Sequence, residues 1–404
     1  MRNRPETTNE TLLAQDARLE QQALLVLKQK GTKKMYINYY SQNQTNNYSF
    51  DALFNNTLVI TSPRQQIDTL FVPRLTPQAK TKLIRTYNLI NLSANLKNII
   101  DTIAPQIPQD LSQSYHVFKI PKHSGGLRTI SAPTGNLKLL LESLYTTLTT
   151  NYFTILPHDC AYAYTKGRDA YQALQRHTTS EWFLKLDIKD FFPSCNKTLL
   201  MSKIPQVFPF NLIQVLIPEH FEKMIDYCLL NDQLPQGTNM SPMLTNTLMV
   251  EFDVKFSRFC ESQGLIYTRY ADDMLISGKE KFNFIYIQNV AIATLRELGY
   301  NFTIKKEKTR FGSIKGSNWN LGLMLNKDHN ITIGHRKKKV FKAMLNNFIQ
   351  ENLLTNEHPW SIMDIQHLAG LHSYYKRIEP EYIDYIINQF NNKYNVDVVS
   401  ALKI

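Results

Sequence analysis

Leu265-Ile266-Tyr267-Thr268-Arg269-Tyr270-Ala271-Asp272-Asp273-Met274-Leu275-Ile276-Ser277 is the stretch on which the reading of this chain turns. Apolar and polar residues alternate on either side of Ala271-Asp272, so a β-hairpin with paired carboxylates at its turn is predicted. Upstream, Phe183-Leu184-Lys185-Leu186-Asp187 reads as a buried strand that ends at a third carboxylate. The apolar approach and the Phe191-Phe192 pair that follows argue against an exposed loop there. A strand ending at Asp187 beside a hairpin tipped by Asp272 and Asp273 would bring three acids together.

That gathering has a chemical use. Transfer of a phosphoryl group to a 3′-hydroxyl calls for two divalent cations about 4 Å apart. Magnesium takes hard oxygen ligands and keeps several waters, so two or three protein carboxylates suffice. They must converge from rigid elements, because small misplacement costs rate. Asp also favours turns in its own right. Taken alone, Tyr270-Ala271-Asp272-Asp273 therefore reads about equally well as turn chemistry; a solvated strand end is the alternative for Asp187, against which its apolar approach counts.

Working outward, Ser241-Pro242 reads as a helix start, with Ser as N-cap and Pro at the first helical position. The helix it opens would bury Leu244, Leu248, Phe252 and Phe256. Residues 285–298 read as a helix that stops at Gly299. Beyond residue 331 the pattern is mainly helical. Val340, Met344, Leu345, Phe348 and Ile349 fall at helical spacing after the basic run His335-Arg336-Lys337-Lys338-Lys339. Ser361 with Asp364 resembles a capping box, and residues 381–390 form a third helical candidate. Residues 1–95 form an extension of unknown role, rich in Asn, Gln and Thr. Within it Leu19, Ala23, Leu24 and Leu27 share a helical face, and 41–47 reads as a loop.

The bulk properties bound the partners. The 404 residues carry a formal charge of +12 and a pI of about 9.3, an excess that suits a polyanion such as nucleic acid or an anionic membrane. No apolar run approaches the roughly 20 residues that span a bilayer, and residues 1–5 lead into polar sequence rather than a signal peptide. Cys160, Cys195, Cys228 and Cys260 form no CxxC pair, which argues against structural zinc or a disulfide framework. A reducing, cytoplasmic setting is expected.

A series of segments in order makes the reading specific. It runs Phe118-Lys119-Ile120-Pro121-Lys122, Gly125-Gly126-Leu127-Arg128, Leu186-Asp187-Ile188-Lys189-Asp190-Phe191-Phe192-Pro193-Ser194, Leu234-Pro235-Gln236-Gly237 and Ser241-Pro242-Met243-Leu244-Thr245-Asn246. Arg269-Tyr270-Ala271-Asp272-Asp273, Lys308-Thr309 and Leu321-Gly322-Leu323 complete it. Over residues 115–330 this order resembles bacterial reverse transcriptases of the retron and group II intron type. The segments at 172–177 and 319–322 depart from the retron pattern. A compact, stand-alone enzyme like the defence-associated reverse transcriptases is expected.

The resemblance implies an α+β right-hand polymerase, with fingers and palm over 96–330 built on an antiparallel palm sheet with helices, and a helical thumb over 331–404. It implies two Mg²⁺ ions, for which Mn²⁺ can substitute. Asp187 and Asp272 would be the main metal ligands, with Asp273 close by, and Ile188 would lend its backbone to the metal-bound triphosphate. Phe192 would clash with a 2′-hydroxyl and so favour deoxynucleotides. Lys122, Arg128 and Gln236 would meet the nucleotide, the first two flanking a Gly-Gly turn, with Arg offering a planar fork and Lys a point charge. Lys308 would protonate the leaving pyrophosphate, although Lys305 and Lys306 crowd the same stretch. Tyr270 would touch the primer end, and Arg336, Lys337, Lys338 and Lys339 would hold duplex phosphates.

The implied partners are an RNA template, noncoding in a defence setting, a DNA primer or product, and dNTPs, with no membrane; a second copy or a second subunit is also compatible. Two other functions fit the same residues: DNA synthesis that is template-independent or primed by a tyrosine hydroxyl, and a non-catalytic RNA-binding protein with a polymerase fold.

Overall fold

In the computed structural model the described residues are 89–121, 125–151, 157–316, 319–355 and 359–403. The helical face and the loop read in residues 1–88, and Lys122, lie outside them.

In chain order the elements begin with α1 (Leu89–Ile103), the hairpin β1 (Tyr115–Pro121) and β2 (Leu127–Pro133), α2 (Gly135–Asn151), α3 (Ala170–Gln175) and β3 (Trp182–Asp187). Helices α4 (Lys197–Lys203), α5 (Phe210–Leu216), α6 (Pro218–Tyr227), α7 (Met240–Leu248) and α8 (Val250–Ser262) follow. Then come β4 (Ile266–Tyr270), β5 (Asp273–Gly278), α9 (Phe284–Glu297), β6 (Arg310–Ser313), β7 (Trp319–Asn320), β8 (Leu323–Leu325) and β9 (Ile331–Thr332). The chain closes with α10 (His335–Phe348), α11 (Ile362–Ile378), α12 (Pro380–Tyr394) and α13 (Val398–Ala401).

These elements fall into two compact units that interleave in sequence. One holds the described residues up to Lys166 with Ile188–Phe256 and Ala291–Thr303; the other holds Gly167–Asp187, Ser257–Val290 and Ile304 onward.

The first unit is a helical body with the β1–β2 hairpin. α1 packs on α2, α5 and α6, and burying Leu96, Leu140, Phe210 and Phe221 stabilises it by roughly 1.5–3 kcal/mol per side chain. All four residues expected to be buried from α7 into α8, Leu244, Leu248, Phe252 and Phe256, are buried. The helix start differs from expectation. α7 opens at Met240, and Thr238 rather than Ser241 supplies the capping oxygen, accepting the Ser241 N–H at 3.1 Å. Thr238 lies one turn ahead of the amides that lack helical partners, which is where an acceptor is needed.

The second unit is built on an antiparallel sheet of order β4-β5-β3-β6, with a smaller sheet β7-β8-β9. Phe183 of β3 and Leu275 of β5 share one core with Phe341, Leu345, Phe348, Leu368 and Ile387 of the C-terminal helices. On α10 the buried stripe is Phe341, Leu345 and Phe348, whereas Val340 is 52% exposed. Leu345, Phe348 and Ile349 of the expected face are buried and Met344 packs against the core, and at the start of the face Phe341 is buried where Val340 was expected. Ser361 and Asp364 close a reciprocal capping box on α11. Residues 381–390 lie inside α12. Among the described residues no single helix is long and apolar enough to cross a membrane. All four cysteines are free and buried.

Candidate active site

The register of the sheet assembles the carboxylates. β3 pairs with β5 so that Asp187 stands opposite Asp273, and β4 pairs with β5 so that Tyr270 also stands opposite Asp273. Ala271 and Asp272 are left as the two-residue connection. Residues directly opposed across antiparallel strands share a face, and side chains two apart on a strand do too. Asp187, Asp273 and Lys185 therefore project from the same side of the sheet. Ala271 sits at φ +57°, a left-handed conformation that costs a residue with a Cβ roughly 1–2 kcal/mol. The fully buried Arg269 donates from Nη1 to the Ala271 carbonyl at 3.1 Å.

Three lysines pair with two of the three acids. Lys308 Nζ donates to Asp187 Oδ2 at 2.7 Å, and the Lys305 backbone N–H donates to the Asp187 carbonyl at 2.8 Å. Lys305 Nζ stands 3.0 Å from Asp187 Oδ1, close enough for an ion pair but not aligned as a hydrogen bond. Oδ1 thus remains a buried oxygen without a hydrogen-bond donor. Lys185 Nζ pairs with Asp273 Oδ1 at 3.2 Å. Burial raises the Asp272 carboxyl above its ordinary range, helped by the charges of Asp273 and Asp187 and opposed by Lys305. Burial pulls the Lys308 ammonium down, but the hydrogen bond to Asp187 and the three carboxylates outweigh it and the net shift is upward.

Among the described residues no three His, Cys, Asp or Glu side chains form a ready-made metal cage. The donor set nevertheless suits a divalent cation that keeps most of its waters. Its oxygens are hard, two of the acids are half-buried, and Asp187 Oδ1 has unused lone pairs in a buried setting.

The other expected site residues divide between the units. In the first, Arg128 lies exposed on β2 opposite Ile120, and Gly125 and Gly126 at φ +86° and +81° form the hairpin turn. The Ser131 N–H donates to the Gln236 carbonyl at 2.7 Å, which ties the Pro-Gln-Gly turn to the strand that carries Arg128. Gly237, at φ +126°, is required there, since a Cβ would lie 2.7 Å from the Ser131 carbonyl oxygen. Ile188 is fully buried, so its backbone is the group it has to offer. Phe192 is half-buried and packs edge-on to Tyr164 and Phe191, with centroids at 6.5 and 5.8 Å.

In the second unit Tyr270 is half-buried, and burial raises its phenol, with the Asp169 charge adding to the shift. On α10 the basic run is not uniform. Lys338 pairs with Glu379 and lies over the Tyr382 ring, Lys337 donates to the Gly322 carbonyl, and Arg336 and Lys339 are exposed.

Sequence reasoning gave four contributors no role of their own. Lys185 and Arg269 stand on the strands themselves, and a basic residue within a largely apolar strand was the available signal. Lys305 was visible only as one of a crowded group. His177 is fully buried, with Nδ1 2.6 Å from Ser277 Oγ and Nε2 2.8 Å from Thr268 Oγ1. Nothing in the local sequence marks it.

A central antiparallel sheet with carboxylates at one strand end and on the adjoining hairpin, countered by lysines, defines a nucleotidyl-transferring polymerase palm. The chain belongs to the reverse transcriptase (RNA-dependent DNA polymerase) family, which matches residues 120–366, and it is an RNA-directed DNA polymerase. It is 27% identical to the retron Ec83 reverse transcriptase of Escherichia coli over 299 residues, covering 72% of this chain and 89% of the relative. It is 29% identical to the Escherichia coli retron Ec73 reverse transcriptase over 290 residues, covering 69% and 86%. Both of these relatives are retron enzymes, so the likeness persists despite the departures at 172–177 and 319–322. Among solved structures, apo telomerase from Candida tropicalis aligns with a TM-score of 0.42 and 13% identity, over 75% of this chain and 62% of that one.

Proposed function

We propose that this enzyme copies an RNA template into DNA with Asp187, Asp272 and Asp273 as its metal-binding centre, holding two Mg²⁺ ions that Mn²⁺ can replace. The observation that carries the reading is the pairing of Asp187 with Asp273 across β3 and β5, beside the Asp272 turn, with Lys305 and Lys308 at the Asp187 oxygens. When bound, the cations supply charge neutralisation at the triphosphate and activation of the primer hydroxyl. Asp187 and Asp272 hold them, and the Ile188 backbone lies next in the chain. Asp273, shared with Lys185, sets the charge balance beside them. The primer 3′-hydroxyl gives up its proton to solvent, and its oxygen bonds to the α-phosphorus as the bond to pyrophosphate breaks. Lys308, already directed at this cluster, delivers a proton to the departing oxygen.

Phe192 excludes the 2′-hydroxyl, Lys122, Arg128 and Gln236 meet the incoming dNTP, and Tyr270 supports the primer end. Residues 96–330 act as fingers and palm and 331–404 as thumb, where exposed Arg336 and Lys339 bear on the duplex backbone, with Lys337 and Lys338 beside them. By likeness to the retron enzymes, the template is a noncoding RNA and the setting bacterial antiphage defence, in a cytoplasm that keeps the thiols reduced.

Purified protein with Mg²⁺, dNTPs and a primed RNA should yield cDNA complementary to that RNA. The double variant Asp272→Asn/Asp273→Asn should lose synthesis by on the order of 10³-fold or more, since several kcal/mol of transition-state stabilisation go with the site. Robust synthesis by that variant would remove the metal assignment. Sequencing the product separates templated copying from template-independent or tyrosine-primed synthesis.

A further inference from the structure

Arg269 belongs to none of the roles assigned above, yet it is among the largest fully buried side chains of the described residues. It stands on β4 two residues before Ala271, and its guanidinium reaches forward to the Ala271 carbonyl. Ala271 is the one residue between Tyr270 and Asp272, and its backbone is left-handed although it carries a Cβ. A residue so placed returns to extended or right-handed geometry unless its surroundings hold it. Such a return would swing Asp272 about the turn and break the Tyr270–Asp273 pairing that opposes Asp273 to Asp187. A glycine would adopt the same φ without strain, and the chain has alanine instead.

We infer that Arg269 is a positioning residue: its hydrogen bond to the Ala271 carbonyl holds the left-handed turn that aims Asp272 and Asp273 at the metal site. The inference rests on Asp272 as a metal ligand. An Asp272→Asn control tests that ligand assignment separately.

The test compares full-length wild type with Arg269→Lys, Arg269→Lys/Ala271→Gly and Asp272→Asn. The readouts are thermal melting, Mn²⁺ affinity by electron paramagnetic resonance without nucleotide, and kcat and KM for dTTP on primed poly(rA). Lysine keeps the buried cation but loses the planar fork that reaches the carbonyl. Arg269→Lys should fold, bind Mn²⁺ several-fold more weakly and lose roughly 10- to 100-fold in kcat with KM for dTTP little changed. Adding Ala271→Gly should recover at least tenfold in kcat and restore Mn²⁺ affinity, because glycine takes the turn unaided.

Wild-type kcat and Mn²⁺ affinity in Arg269→Lys would overturn the inference, as would a double variant no better than the single one. A single variant that fails to fold and is not recovered by Ala271→Gly would overturn it too, since the role would then be global. Loss of Mn²⁺ binding in Asp272→Asn beside an unaffected Arg269→Lys would sink this inference alone. Retained Mn²⁺ affinity and activity in Asp272→Asn would sink the ligand assignment instead.

Discussion

In the proposed reaction Lys308 is the proton donor, and its hydrogen bond to Asp187 together with the nearby carboxylates prepares it for that role. Its ammonium stands 2.7 Å from Asp187 Oδ2, and the surrounding acids hold it protonated against the effect of burial. Replacing it with methionine keeps the stem and removes the proton. Lys308→Met should lower kcat by roughly 10²-fold while leaving KM for dNTP within a few-fold, as measured by single-nucleotide extension. A change confined to KM would assign Lys308 to binding instead. The three carboxylates were legible as residues because each follows an apolar strand pattern. The lysines that answer them were less so, since exposed and site-directed lysines look alike in a sequence, and only the fold separates Lys305 and Lys308 from Lys306.

Two elements depend on single residues for their seating. The Pro-Gln-Gly turn approaches β2 so closely that Gly237 has no room for a side chain. Gly237→Ala meets both the Ser131 backbone and a positive φ. It should destabilise the first unit by roughly 2 kcal/mol or more, seen as a lower melting temperature, and weaken dNTP binding through the displaced Gln236. The β4–β5 hairpin is tied from within by His177, which bonds Thr268 on β4 and Ser277 on β5. Burial first, and then the Arg176 charge, pushes the His177 imidazole down to about 3. The unfolded chain takes up a proton near pH 6.5 that the folded chain refuses. The stabilisation is therefore fully present above pH 6.5 and is lost as pH falls toward 3, by up to about 1.4 kcal/mol per pH unit. Urea melts at pH 5 and pH 7 should differ in that direction, and His177→Gln should flatten the difference.

For the whole molecule the formal charge of +12 sets the scale of attraction to nucleic acid. Exposed Arg336 and Lys339 are the members of the α10 run expected to contribute most to it, because Lys338 is engaged with Glu379 and Lys337 with Gly322. Arg336→Ala and Lys339→Ala should each weaken binding to a primed RNA template and lower the slope of log K against log salt by about 1. Fluorescence anisotropy at several KCl concentrations measures both effects, and an unchanged slope would mean these side chains face solvent in the complex.

The local pattern by itself determined the strands ending at Asp187 and flanking Ala271-Asp272, the α11 capping box and the family to which the chain belongs. These are properties of neighbours in sequence, where alternation, capping chemistry and ordered motifs act over a few residues. Tertiary structure alone decided which lysines meet which acids, that Thr238 caps α7, that Phe341 rather than Val340 enters the core, and that His177 and Arg269 brace the hairpin. Those outcomes depend on strand register and on side-chain burial between segments far apart in the chain, and local propensity carries no information about either.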